Sequence, residues 1–235
     1  MHDLLDALAA AWQLVLSGDP TLIGIVFLSL SISLTAVLFA SALGLPLGAA
    51  LAVFRFPGRK VVVVMVNAFM GLPPVVAGLF VYLLLSRSGP LGNLGLLFTP
   101  TAMVIAQVVL VTPIIAAITR QIVEDLWHRY GDLYTLDGAG RVHTVCSLLW
   151  LGRFSLITAV LAGVGRAAAE VGAILIVGGN IAGVTRTMTT SIALETSRGD
   201  LALALGLGII LLCLILAINA TAQLVRDTVR RVTVA

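Results

Sequence analysis

Five long apolar runs organise the chain: residues 22–53, 61–85, 96–118, 154–177 and 201–225. Each is continuous. A barrel strand would alternate apolar and polar positions over about ten residues, so these runs predict membrane-spanning helices. The first run exceeds what a bilayer needs, which implies tilt or extension into the headgroups. Ahead of it, Leu4, Leu5, Leu8, Trp12, Val15 and Leu16 recur at helical spacing, with Asp3 and Asp6 opposed to them. A signal peptide opens with positive charge, whereas this segment opens acidic. The pattern predicts a retained interfacial helix over 1–20; a loosely ordered terminus fits the same residues. The expected architecture is an all-α membrane protein with five transmembrane helices. One domain covers 21–235, with polar interruptions at 120–153 and 178–200.

Composition agrees with that reading. Of 235 residues, 60% are hydrophobic and 11% charged, and mean hydropathy is +1.12. Soluble domains carry about 25% charged residues. The charges set an orientation, because short cytoplasmic loops collect Lys and Arg. Arg55, Arg59 and Lys60 follow the first run; Arg120, Arg129, Arg141 and Arg153 follow the third; Arg226, Arg230 and Arg231 close the chain. The opposite side holds Arg87, Arg186 and Arg198. Five spans with this bias put the N-terminus outside and the C-terminus in the cytoplasm. The basic pI of about 9.3 is then a matter of topology. No basic patch is interleaved with aromatics, so no nucleic-acid role is expected. Cys146 and Cys213 form no disulfide framework, and His2, His128 and His143 are scattered, so no metal site is expected.

Three polar features stand out in this apolar chain. The first is GDLYTLDGAGRVHTVCSLLW, residues 131–150; from Glu124 to Val145 the chain has helical character broken at Gly138-Ala139-Gly140. Leu133 and Leu136 can share a face with Tyr134 and Asp137 to its side, and Gly138 permits a turn. Two short helices about a glycine suit docking onto a cytosolic partner; a connector lying on the membrane surface fits equally. Second, Arg166 falls roughly 18 Å into the fourth run, counting about 1.5 Å per residue, with Glu170 one turn on. Intramembrane charge is a functional hypothesis by default. Spaced four apart on one helix, the two can pair, either lining a path or locking helices together. Third, NIAGVTRTMTTSIALE, residues 180–195, is rich in hydroxyls and amides. Pro73-Pro74 and Pro113 are kink sites.

Several stretches resemble the permease subunit of tungstate-type ABC importers, a group related to the molybdate permeases. They are FRFPGRK (54–60), GLPPVVAGL (71–79), LLLSRSGPLGNLGLLFTPTAMVIAQ (83–107) and AEVGAILIVGGNIAGVTRTMTTSIALETSRGD (169–200). Where molybdate permeases tend to run to Thr-Leu-Pro, this chain has Thr187-Met188-Thr189-Thr190. The middle segment is similar to the cytoplasmic loop of ABC-importer permeases. Asp132, Leu133 and Tyr134 fall on that loop's Glu-Ala-Ala, Gly138 on its glycine and Trp150-Leu151 on its Leu-Pro; the alanines and the proline differ.

The resemblance implies a homodimer of five-helix subunits in a prokaryotic plasma membrane, a cytosolic ABC ATPase dimer and an external oxyanion-binding protein. It implies ATPase coupling through Asp132, Leu133, Tyr134, Leu136, Asp137 and Gly138. A path or gate would involve Arg166, Glu170, Pro73 and Pro74. Binding-protein docking would fall on Asn180, Arg186, Thr187, Thr189 and Thr190. Glu170 offsets Arg166, so selectivity is expected mostly in the binding protein. The chain is expected to be non-catalytic and to bind no cofactor. No G-x-x-x-x-G-K-[ST] phosphate cradle occurs, so ATP and magnesium would sit on the partner ATPase. The substrate implied is tungstate, with molybdate or sulfate as the alternative. A secondary transporter would show internal repeats, and a membrane anchor would have little use for Arg166 and Glu170.

Overall fold

The computed structural model describes residue 13 and residues 19–234, with side chains at 13 and from 19 to 224. The interfacial helix expected over 1–20 falls almost wholly outside the described residues. Among those residues the chain is helical, without strands. The order is α1 (Pro20–Val53), α2 (Arg59–Met70), α3 (Pro74–Leu85), a 3-10 turn (Gly92–Leu94), α4 (Pro100–Leu136), α5 (Arg141–Leu151), α6 (Arg153–Ala168), α7 (Gly172–Gly178), α8 (Met188–Arg198) and α9 (Leu201–Val234).

The three long helices start where local chemistry dictates. Asp19 Oδ1 accepts the Thr21 N–H at 2.7 Å ahead of α1, a bond that also holds the Asp19 carboxyl below the usual carboxylate range. Thr99 Oγ1 accepts the Ala102 N–H ahead of α4, and Asp200 Oδ1 accepts the Leu203 N–H ahead of α9. Pro20 and Pro100 stand at the first helical position, where the missing N–H is not needed.

Three helices, α1, α4 and the described apolar part of α9, are long and apolar enough to cross a membrane. The number rises to five if the broken pairs α2–α3 and α5–α6 each count as one span. The fourth run is therefore not the single helix expected over 154–177. α6 stops at Ala168, α7 is a separate seven-residue helix, and α5 joins α6 across Gly152 at 80°. The break has a cause in the sequence. Glu170 Oε1 accepts the Ala173 N–H at 2.9 Å, so its carboxylate caps the start of α7. The second run is likewise interrupted, between Met70 and Pro74. Pro113 lies inside a continuous α4, and Pro46 inside α1.

Contacts divide the chain into two compact units. The described residues of the first are residue 13 and those within 19–36, 73–107 and 167–219. There Leu22, Met188 and Leu207 form a core with Ile25, Val26, Ile192 and Leu203 around it, and α3 packs on α7. The Gly78 position explains how close: a Cβ there would lie 2.7 Å from the Ala173 Cα. The described residues of the second unit fall within 37–72, 108–166 and 220–234. Its core joins Ala49, Ala52, Val53, Val123, Val145 and Leu148. Gly44 and Gly48 on α1 face Ile115, Ala116 and Thr119 of α4, and a Cβ at Gly48 would meet the Ala116 carbonyl at 2.3 Å. This is the small-residue spacing by which membrane helices approach closely. Half of the most apolar stretch of α4 is buried, against 28% for α1 and 17% for α9. Phe27, Leu38, Leu212 and Leu216 are all more than 60% exposed. Such apolar surface suits lipid or a partner rather than water.

Candidate functional site

The polar middle segment is built from three local devices in the second unit. First, α4 ends at a glycine turn: Gly138 sits at φ 65°, its N–H donates to the Thr135 carbonyl, and the Ala139 N–H donates to the Tyr134 carbonyl. Those two bonds with a left-handed glycine between them are the Schellman cap. Second, α5 buries one face only. Val145 and Leu148 enter the core, with Trp127, Tyr134 and Leu149 packed against it. Third, ion pairs tie the base of the segment. Glu124 accepts from Arg59 Nη2 at 3.0 Å and from Arg120 Nη1, while Arg59 Nε donates to the Leu51 carbonyl. Arg153 lies over the rings of Trp150 and Phe154, 4.7 and 4.4 Å from their centroids.

What remains outside is an apolar surface on a polar element. Leu136 is 83% exposed, Leu133 58%, Val142 71% and Trp150 71%. Asp132, Asp137 and Gly138 are exposed beside them. Tyr134 is the exception among the residues expected here: it is half-buried and packs on the core, so it anchors the segment from inside.

In the first unit the cluster is Glu170 with the threonines. Glu170 is 2% exposed. Its backbone carbonyl accepts from Thr189 Oγ1 at 2.8 Å, in addition to the cap on α7. Gln107 Nε2 donates to the Ala167 carbonyl at 3.1 Å, and Gln107 Oε1 is buried without a partner among the described residues. Pro73 is exposed as the N-cap of α3, and Pro74 occupies its first turn. The prolines stand at the break between Met70 and Pro74, so the interruption expected of them is present and takes the form of a new helix start. Arg166 is half-buried in the last turn of α6. Because that helix ends two residues later, the same-helix register expected for Arg166 and Glu170 is absent.

The loop expected to dock a binding protein is mostly turned inward. Thr187 and Thr190 form a capping box at the start of α8, and Thr187, Thr189 and Thr190 are all buried. Thr185 Oγ1 donates to the Gly178 carbonyl and accepts the Ile181 N–H. Asn180 is half-buried at φ 51°, and its Nδ2 reaches the Thr190 carbonyl. Arg186 is half-buried, its Nε without a partner among the described residues. Hydroxyl content alone did not separate residues that build a loop from residues that present it. Ahead of α8 the exposed positions are Ile181, Ala182, Gly183 and Val184, which the hydroxyl-rich pattern hid.

Residues 44–231 match the model of the binding-protein-dependent transport system inner membrane component. The chain belongs to that family. It is a multi-pass inner membrane component of an ABC-type transport system, a class that works with a cytosolic ATPase and a binding protein. A probable anion ABC transporter permease protein of Haloferax volcanii is 40% identical over 88% of this chain and 91% of its own. A tungstate uptake system permease protein of Peptoclostridium acidaminophilum is 38% identical over 94% of this chain and 96% of its own. A sulfate transport system permease protein of Escherichia coli K12 is 27% identical over 75% of this chain and 63% of its own. Within this permease, the matched region covers both the exposed middle segment and the Glu170 cluster.

Proposed function

We propose that this permease carries tungstate inward as a homodimer, receiving it from an external binding protein and taking its driving force from a separate ATPase. The observation that carries the coupling part is the exposed apolar surface of Leu133 and Leu136 at a Schellman turn, flanked by Asp132 and Asp137. A surface of that kind on a polar element fits a groove on a cytosolic protein. Positive charge on the same side favours a cytoplasmic position. Arg166, Glu170, Pro73 and Pro74 line the path or its gate. Ile181 and Val184, with Arg186 and Asn180 behind them, meet the binding protein. Nucleotide and magnesium sit on the ATPase. Substrate identity rests on two tungstate uptake relatives, at 38% and 36% identity.

The test is reconstitution of the permease with its ATPase and binding protein in proteoliposomes. Tungstate should stimulate ATP hydrolysis and accumulate inside at lower concentrations than molybdate or sulfate. Equal stimulation by all three removes the tungstate assignment. The sulfate relatives keep a sulfate reading as the second choice.

A further inference from the structure

The turn between α1 and α2 forms one wall of a cleft of about 570 Å³, closed on the other side by α4. That volume lies in the range of small-ligand sites, about 300–1,000 Å³. Arg55, Arg59, Lys60 and His128 line it, with Glu124 the one acidic residue among the lining side chains. Glu124 is already engaged by Arg59 and Arg120, so it neutralises neither Arg55 nor Lys60. No hydrogen bond or ion pair ties those two side chains among the described residues, and both are exposed. The first turn of the 12-residue α2 opens at the cleft, and its N-cap Gly58 provides no side-chain cap. That end of the helix carries partial positive charge. Phe56 and Val61 lie at the cleft, and Val61, Val64 and Met65 are all more than half exposed along α2.

Cationic groups at a helix start, next to an exposed apolar strip, match one ligand chemistry: a phosphate-like oxyanion attached to an acyl chain. We propose that this cleft binds a tetrahedral oxyanion group, and that its source is the headgroup phosphate of an anionic phospholipid. Basic pockets beside spanning helices take such headgroups. The apolar strip favours the lipid over a free oxyanion, which would use the cations and leave Val61, Val64 and Met65 unused.

The experiment uses the full-length chain in mild detergent, with native mass spectrometry and thermal unfolding as readouts. Phosphatidylglycerol should remain bound and raise the unfolding temperature, and phosphatidylcholine should not. The doubly substituted Arg55→Gln, Lys60→Gln chain should bind phosphatidylglycerol about 20–30-fold more weakly, since each near-surface cation contributes about fivefold. Both residues are exposed and unpaired, so the variant should fold; its unfolding temperature without lipid checks that. Arg129→Gln, which removes an exposed charge elsewhere, should leave lipid binding unchanged. Inorganic phosphate and sodium tungstate are then titrated in neutral lipid. If they stabilise the wild type and displace phosphatidylglycerol, the oxyanion site stands and its source is a free anion. If the double variant retains full affinity, or the neutral lipid binds as well, the cleft is no oxyanion site. None of these readouts depends on transport, so a failed tungstate assignment would leave the result intact.

Discussion

Single residues carry the turn on which coupling depends. Gly138 has φ 65° with nothing within 4 Å of an added Cβ, so a side chain there meets backbone strain and no steric clash. A β-branched residue in the left-handed region costs on the order of 1–3 kcal/mol, whereas asparagine tolerates it. Gly138→Val should therefore lower ATPase-coupled transport severely while Gly138→Asn keeps most of it, both chains remaining in the membrane. Full coupling in the valine variant would mean that the turn is not needed for docking. A second contrast separates structure from recognition in the outer loop. Thr187→Val removes a buried capping box and should destabilise the chain by about 1 kcal/mol. Ile181→Asp changes an exposed side chain and should weaken binding-protein affinity with little change in unfolding temperature. The reverse pattern would restore the threonines as the docking surface. Sequence reading placed the glycine turn correctly because positive φ and glycine are tied by sterics. It could not show that Tyr134 is half-buried and the threonines buried, because burial is decided by neighbours distant in the chain.

At the scale of elements, helix starts and the breaks marked by glycine or proline were readable, and the break in the fourth run was not. Proline and a capping side chain mark the starts of α1 and α4, and both signals are local. The break at Glu170 depends on its carboxylate capping α7, and hydropathy sees only a continuous apolar run. Close approach of α1 to α4 was likewise hidden, since its signal is two glycines four residues apart. That approach makes a sharp prediction. Gly48→Val puts a side chain where the α4 backbone already lies, 2.3 Å from a carbonyl oxygen. Overpacking costs about 1–3 kcal/mol, occasionally more, so detergent-solubilised protein should unfold several degrees earlier. Gly24→Ala, in the same helix with nothing within 4 Å, should be neutral or mildly stabilising. Equal losses at both positions would remove the packing explanation. The ion cluster at the base of the middle segment gives a further test. Glu124→Gln leaves Arg59 and Arg120, both mostly buried, facing a neutral amide, and should destabilise by about 1.5–3 kcal/mol.

For the whole molecule the quantity to fix is the number of crossings, three to five according to which broken pairs cross. Three and five are odd and four is even, so labels at the two ends, such as cysteines at Ser17 and Thr233, separate four from the odd counts and do no more. The loops between decide. With five crossings and the N-terminus outside, Ser88 lies outside and His143 in the cytoplasm. With three, both assignments invert, because α2–α3 and α5–α6 then return to the side they left. The charges favour five. Three crossings would leave Arg129, Arg141, Arg153, Arg166, Arg186 and Arg198 on the outer side, against the cytoplasmic bias of Lys and Arg in short loops. The exposed surface of Leu133 and Leu136 would also face away from any cytosolic ATPase. Single cysteines at Ser17, Ser88, His143 and Thr233, in a chain lacking Cys146 and Cys213, should therefore show a fixed pattern with an impermeant reagent applied outside. Ser17 and Ser88 should react, and His143 and Thr233 should react only after the membrane is opened. A reactive His143 position in sealed cells would put the middle segment outside and end the coupling assignment with it.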